Sequence, residues 1–446
     1  MLNLKQSLSG GVKMKQVHLL IIWATLTVTA TGLFLKFLAA WKYSGAPKAF
    51  YQLVRSDLNF FATLIGLLLI LLLINIIFYR LINWQESTNW RFALIVFGVV
   101  SLIATASFPF ASMDLFCYLS VGRIYGINHL SPYLATYSSL ITDNFFPALQ
   151  NIVWASKLTP YGPLAIYINS IIAWLGSSHI LLSIIGFKLL ALAAHALNAW
   201  LMHKLGGRKA FFLYAFNPLI IFELLINGHN EVILISFILL GLLFFSQQKK
   251  VSSWLALSLA ALTKLTAIFF LPIQFLLSLK AKQKKNNLLF ILIAGGGLIL
   301  LAFAAYYPLI GHDWLTIPRS LTSQLEQSSS AFYSPLISLF WIMLTVLKIP
   351  AAAIWAAAVG RIVFLGVYGI ILIGIIRTKK PNTLSYYLAL TYGLFCFTSL
   401  TWLMPWYLTI LIALLILEHT RTKQIWPLFL NYLTTLYAIL YYLFLR

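Results

Sequence analysis

Charge is what this chain has least of. Its 446 residues hold nine carboxylates against 31 lysines and arginines, so 9% is charged and 61% is hydrophobic. A soluble domain carries about a quarter charged residues, which excludes a soluble globular enzyme, and the mean hydropathy of +0.91 agrees. Cysteine is nearly absent too: Cys117 and Cys396 each sit in or beside an apolar run, which excludes a disulfide framework. There is no heptad array, no low-complexity tract, no convincing internal repeat and no segment that reads as a separate soluble domain.

What remains is a series of long apolar runs with short connections. A spanning helix needs about 20 apolar residues, so the chain is expected to be an all-α polytopic membrane protein, a bundle of about 12–14 transmembrane or half-spanning helices. Residues 1–91 read as N-terminal transmembrane helices, 92–420 as the membrane core and 421–446 as a C-terminal transmembrane helix. The apolar run from about 17 to 39 has no clear small-residue cleavage site and reads as a retained helix.

The formal charge of +22 suggests nucleic acid only until its placement is considered. Lys and Arg cluster between apolar runs, at His203–Lys204 to Arg208–Lys209, Lys249–Lys250, Lys280 to Lys285, Arg377 to Lys380 and Arg421 to Lys423. That is the pattern of cytoplasmic loops against anionic headgroups. The expected partners are therefore membrane lipids and no nucleic acid. Loops 111–160 and 311–331 are long and poor in basic residues, as outside loops are. This assignment creates parity conflicts: residues 161–202 hold two apolar stretches between an outside and an inside loop, residues 251–279 lie between two basic flanks with Lys264 and Pro272 inside about 29 apolar residues and suit two half-helices, and a third conflict lies at 332–376. One stretch of each is expected to be re-entrant or half-spanning, which is tolerated only beside protein or a water-filled cavity.

With so few carboxylates, each can be weighed. Asp57, Glu86 and Glu418 lie beside basic residues at helix ends and read as solvated boundary groups. Asp114, Asp143, Asp313 and Glu326 fall in the outside loops, and Glu223 and Glu231 lie within or beside apolar helices, where an ionisable group is costly and usually faces a cavity or a partner. Asp114 stands out because Phe108-Pro109-Phe110 fixes its depth at a helix end, the anchorage a general base needs. A helix N-cap is the other role open to it.

Asn217-Pro218, Glu223 and Asn227-Gly228-His229-Asn230-Glu231 cluster between two apolar helices. A turn needs the Gly and Asn but not two Glu and a His, so phosphate, hydroxyl or metal contacts stand beside a capped hairpin. The spacing matches no standard metal site, so no cofactor is assigned and a divalent metal is left open. Lys264 and Arg319 could hold a lipid phosphate, or snorkel and meet headgroups. Trp402, Trp406 and Tyr407 could stack on a sugar or belong to an interfacial belt.

In order along the chain, Asp114, Tyr118 with Gly122-Arg123, Ser131-Pro132-Tyr133, Tyr161-Gly162-Pro163, Asn217-Pro218 with Gly228-His229-Asn230, Lys264, Ser334-Pro335 and Pro405-Trp406-Tyr407 together resemble the bacterial polyprenol-phosphate-dependent mannosyltransferases of the GT-C membrane glycosyltransferase superfamily. The resemblance covers roughly residues 90 to 420. It implies a GT-C-like bundle with a long extracytoplasmic catalytic loop in the bacterial plasma membrane. It also implies inverting transfer of a hexose, mannose by resemblance, from a polyprenyl-phosphate donor to a glycan or glycolipid hydroxyl outside the membrane, with Asp114 as base. Arg123, Tyr133, Tyr161, His229, Asn230, Glu231, Lys264, Arg319, Trp406 and Tyr407 are the expected donor-phosphate or substrate contacts. Glu231 departs from the pattern, which has aspartate there. The chemistry agrees, since a phosphate ester leaves readily and needs one base plus cations. A transporter or flippase for a lipid-linked saccharide is the alternative.

Overall fold

A computed structural model describes residues 2–33, 40–83, 86–280, 287–325, 333–379 and 383–442. Glu326 and the basic residues Lys282, Lys284, Lys285 and Lys380 lie outside the described residues. The chain is 80% helical with no strands among the described residues, and it is an all-α polytopic membrane protein.

The first four helices are α1 (Leu2–Gly32), the short amphipathic α2 (Pro47–Ser56), α3 (Leu58–Leu81) and α4 (Ser87–Ala106). Asp57 caps α3, its side chain accepting from Phe60 N–H at 3.1 Å, the boundary role its neighbours suggested. Next come α5 (Asp114–Gly126), a loop holding the one-turn α6 (Phe146–Leu149), then α7 (Pro163–Gly176) and α8 (Ile180–Ala215). A bent segment follows, α9 (Pro218–Ile220) running into a π-helical turn over Ile221–Ile226, and then α10 (Glu231–Ser246). The chain continues through α11 (Lys250–Thr263), α12 (Phe270–Lys280), α13 (Asn287–Ile310) and α14 (Thr316–Leu325). It ends with α15 (Pro335–Val346), α16 (Ala352–Arg377), α17 (Leu384–Thr398), α18 (Leu408–Thr422) and α19 (Ile425–Tyr441).

Among the described residues, five helices are long and apolar enough to cross a membrane, or six if the bent segment counts as one span. The three ambiguous stretches each resolve unequally. Residues 161–202 become a 14-residue α7 and the first part of α8, whose backbone leaves helical geometry at Gly207, at φ +75°. Residues 251–279 break at Lys264 into α11 and α12 across a 3-10 turn. Residues 332–376 give a 12-residue α15 and a 26-residue α16.

One continuous apolar core runs from Leu20 to Tyr442, and α18 lies at its centre, buried from Leu408 to Glu418. Glu418 is thus not a solvated boundary residue. It is 1% exposed and accepts hydrogen bonds from Thr383 Oγ1 at 2.9 Å and from Ser385 Oγ, the residues that open α17. An apolar helix packed on all sides leaves a carboxylate at its end no route to water, so it takes neighbouring hydroxyls instead.

α5 packs on α7 through Gly122 and Gly126. A Cβ on Gly122 would sit 2.3 Å from Asn169 O, and one on Gly126 2.8 Å from Ser170 O. Two glycines four apart let helix backbones touch, the small-residue solution of membrane helix packing. The contact matters because α5 begins at Asp114.

Candidate active site

Asp114 is the first residue of α5 and does not cap it; Met113 is in the cap position. Ser112 Oγ accepts the Asp114 N–H at 3.1 Å, and the preceding Ala111 N–H donates to Asn227 Oδ1 at 3.2 Å. The carboxylate is therefore set by a helix start on one side and by the bent segment on the other. It opens into a cavity of about 480 Å³.

The cavity has two chemical faces. Asp114, Tyr161, Lys157, Lys264 and Arg361 bring polar groups, while Phe269, Phe364, Leu365 and Phe395 make an apolar wall. Trp154, Trp402, Trp406 and Tyr407 supply aromatic surface, and Trp154 meets Trp402 edge-on at 5.6 Å.

The bent segment builds the layer behind Asp114. Asn217 caps α9, its Oδ1 accepting from Leu219 and Ile220 N–H at 3.0 and 3.3 Å, and Pro218 follows at the first helical position. The π-helical turn then ends at Asn227, and α10 leaves at 118°. Gly228 makes the corner at φ +74°, where a Cβ would also lie 2.8 Å from Leu115. Lys188 of α8 steadies the turn by donating to Leu225 O and, at 2.7 Å, to Ile226 O.

His229 emerges from this corner fully buried. Its Nδ1 is 3.5 Å from Asp114 Oδ2 and its Nε2 3.3 Å from Glu223 Oε2. Trp406 stacks on the ring, centroids 4.1 Å apart and planes inclined by 17°. Tyr118 OH is 3.4 Å from Nδ1 and accepts the Asn230 N–H at 3.4 Å. Beside this group Lys264, extended at the break between α11 and α12, puts Nζ 2.5 Å from Glu231 Oε1 and 3.9 Å from the Tyr407 ring centroid. A buried lysine with one carboxylate and one aromatic face is a matched cation.

The expected site residues thus fall into three groups. Asp114, Tyr161, Lys264, Trp406 and Tyr407 line the cavity. His229, Asn230 and Glu231 form the layer behind it. Arg123, Tyr133 and Arg319 are brought to neither. Arg123 is 1% exposed and bound to Asp143 by Nε at 2.7 and 3.0 Å, to Ser177 O at 2.7 Å, and lies 3.7 Å over the Phe145 ring. Burial works against ionisation of Asp143, yet donors from Arg123, Asn128, Tyr137 and the Phe145 N–H outweigh it and hold the carboxyl below its usual range. The pair is a brace for the 127–162 loop, not a phosphate contact. Tyr133 donates to Tyr161 O at 2.7 Å and so fixes a cavity residue from outside. Arg319 is exposed and pairs with Asp313 at 3.2 Å.

Glu223, which the sequence places in a cluster open to phosphate, hydroxyl or metal contacts, lies behind the cavity, and Arg361, Lys157 and Trp154 line it without being singled out by the sequence. Arg361 had a signal, being the one charged residue between Ala352 and Ile376 of α16. No group of three or more His, Cys, Asp or Glu among the described residues is disposed to hold a metal ion.

Comparison with known proteins bears on this arrangement. Residues 20–280 match the model of the alpha-(1->6)-mannopyranosyltransferase family, N-terminal domain, more than half of the chain. The chain belongs to that family. Alpha-(1->6)-mannopyranosyltransferase A of Corynebacterium glutamicum is 27% identical over 182 residues, 39% of this chain and 36% of the relative. Alpha-(1->6)-mannopyranosyltransferase B of the same organism is 28% identical over 179 residues, 38% and 29% of the two chains. An alpha-(1->6)-mannopyranosyltransferase of Mycobacterium tuberculosis is 30% identical over 143 residues, 30% and 24%. The chain thus spans about a third or less of the length of these mannopyranosyltransferases. No solved structure matches it. The family match takes in Asp114, the bent segment and Lys264 and stops before Arg361 and Trp406, so the cavity joins a matched part of the chain to one beyond it.

Proposed function

We propose that the protein is a membrane mannosyltransferase that moves mannose from a polyprenyl-phosphate donor to a hydroxyl of a glycan or glycolipid, on the extracytoplasmic side of the bacterial plasma membrane. The observation that carries this is the pairing, in one cavity, of a single anchored carboxylate with cations and an aromatic-apolar wall. A lipid phosphate ester needs one base for the acceptor hydroxyl and positive charge for the departing phosphate, and it needs somewhere for the prenyl chain.

Asp114 is the base. The acceptor oxygen attacks the anomeric carbon as its proton passes to the Asp114 carboxylate, and the lipid phosphate leaves with the bonding pair. Arg361, on the cavity wall, is the cation that takes the phosphate, because Lys264 is already matched by Glu231. Trp406, Tyr407 and Trp402 pack on the sugars, and Phe269, Phe364, Leu365 and Phe395 receive the first isoprene units. A single displacement inverts the anomeric centre, so an α-linked product, as the relatives' names describe, calls for a β-linked donor.

The test is transfer in detergent from β-mannosyl phosphoryl polyprenol to an octyl α-mannoside, with Asp114→Asn alongside. Asn keeps the shape and removes the base, and the rate should fall about 10²–10⁴-fold. A variant that keeps most of the wild-type rate would remove Asp114 from the mechanism. Saturable donor binding without transfer by the wild type would turn the assignment toward transport.

A further inference from the structure

Behind the proposed base stands a second carboxylate with no part in the scheme so far. Glu223 is fully buried and is held by Tyr442 OH on Oε1 and by Asn227 Nδ2 at 3.1 Å on Oε2. One imidazole separates it from Asp114: His229 faces Asp114 with Nδ1 at 3.5 Å and Glu223 with Nε2 at 3.3 Å. Asn227 ties the two sides together, since its Oδ1 accepts the Ala111 N–H just before Asp114.

A neutral imidazole has one N–H and one lone pair. Between two carboxylates it could serve one anion and would turn its lone pair on the other. The protonated ring offers an N–H to both, and the cation also suits the Trp406 face stacked against it. The carboxylates sit at opposite nitrogens, so they do not converge on one point as metal ligands would.

We infer that His229 is a fixed imidazolium between Glu223 and Asp114, a positioning residue that aims the base. This rests on Asp114 being the base. The proton account closes without a relay: the acceptor proton goes to Asp114, leaves to water as product departs, and the imidazolium keeps both of its protons throughout.

The other titratable groups around the ring are accounted for. From α5, Tyr118 OH lies 3.4 Å from Nδ1. From α8, Lys188 is spent on the carbonyls of Leu225 and Ile226. The Lys264–Glu231 pair on the α10–α11 side is internally neutral. Tyr442 stands on the far side of Glu223, and Tyr161, edge-on to Tyr118 at 5.3 Å, lies toward the cavity.

The experiment is the pH profile of kcat for the purified full chain in detergent, with β-mannosyl phosphoryl polyprenol as donor and octyl α-mannoside as acceptor. His229→Gln should abolish the alkaline limb, which is the loss of the imidazolium proton, and lower kcat about tenfold with the donor KM unchanged. Glu223→Gln supplies an independent reading: the cation loses one of its two anions and deprotonates sooner, so the alkaline limb moves down. A role in folding alone would lower the active fraction and leave both limbs in place. An alkaline limb that persists in His229→Gln overturns the inference. An alkaline limb unmoved in Glu223→Gln overturns it as well. An active Asp114→Asn variant would instead remove the base beneath it, an outcome these profiles keep separate.

Discussion

Replacing Arg123 by Gln takes the positive half from a buried ion pair and leaves Asp143 where it is. The guanidinium is 2% exposed and the carboxylate 0% at the side-chain level, with Nε–Oδ1 at 2.7 Å. Breaking such a pair from one side costs about 3–5 kcal/mol, because the remaining charge is buried and uncompensated. Asp143 keeps Tyr137, Asn128 and the Phe145 N–H, which puts the cost near the lower end, about 3 kcal/mol. Adding Asp143→Asn removes the stranded charge and retains an acceptor for Tyr137 and Phe145. The double variant should recover at least about 1 kcal/mol of the loss. Unfolding in mixed micelles of dodecylmaltoside and SDS reads the energies, and mannosyl transfer per folded molecule reads the function. A loop brace predicts that the double variant regains transfer as it regains stability. If Arg123 instead touched the donor phosphate, both variants would show the same raised donor KM and the second substitution would restore nothing. That result would refute the brace.

The same pair sets an acid limit. Because folding holds the Asp143 carboxyl below its usual range, its contribution is complete above the unfolded value of about 4 and is lost as pH falls through the folded one; Asp143→Asn should flatten the acid side of a melting-temperature profile. Glu231→Gln leaves Lys264 without its 2.5 Å partner and should cost about 3 kcal/mol of stability, whereas a cycle with Lys264→Met should show coupling above about 1 kcal/mol. Arg361→Ala should raise the donor KM about tenfold, the loss of one charge-assisted contact to phosphate, with the acceptor KM unchanged. Gly162→Ala drives a Cβ to 2.1 Å from the Leu262 carbonyl and should cost about 1–3 kcal/mol and displace Tyr161, seen as lower transfer with a lowered unfolding midpoint.

The fold was legible because its main signal is one-dimensional. Apolar runs gave α3, α4, α8, α17, α18 and α19 to within a few residues at most ends, α8 breaking at Gly207 inside the basic cluster before it resumes to Ala215. The place of Asp114, Tyr161, Lys264 and Trp406 on one cavity follows for a related reason, since each is a polar or aromatic residue at a point where an apolar helix starts or stops. What stayed hidden was pairing. A lysine or arginine looks like a phosphate ligand until its counter-ion is known, and Asp143 is 20 positions from Arg123 while Glu231 is 33 from Lys264. Glu223 and Asp114 could not be joined through His229 without the bend that turns one helix back at 118°. Glu418 looked solvated because its neighbours in sequence are polar, although in the fold it is buried against the start of α17.

The breaks themselves carry the last step. A helix interrupted within a membrane frees backbone groups that hydrocarbon cannot satisfy, so breaks persist where protein or a wet cavity meets them. In this chain α4 stops before Asp114, α7 starts after Tyr161, α9 bends away at Asn227–Asn230, α11 gives way at Lys264, and α17 and α18 part around Trp402–Tyr407. These interruptions come from five separate parts of the sequence and meet at or directly behind one cavity. Interruptions made only to fit a bundle together would be scattered through it. Convergence on one carboxylate implies instead that the lost helical hydrogen bonds are tolerated for the sake of what the cavity holds. It also implies an order of sensitivity: substitutions at the breaks should impair transfer more than equal changes in volume in the middle of α3 or α16. Gly228 is the sharpest case, with its φ of +74° and Leu115 in the way of a Cβ. Gly228→Ala should reach Asp114 through His229 on one side and Leu115 on the other, and lower kcat more than a core Leu→Ala in α3 of equal stability cost.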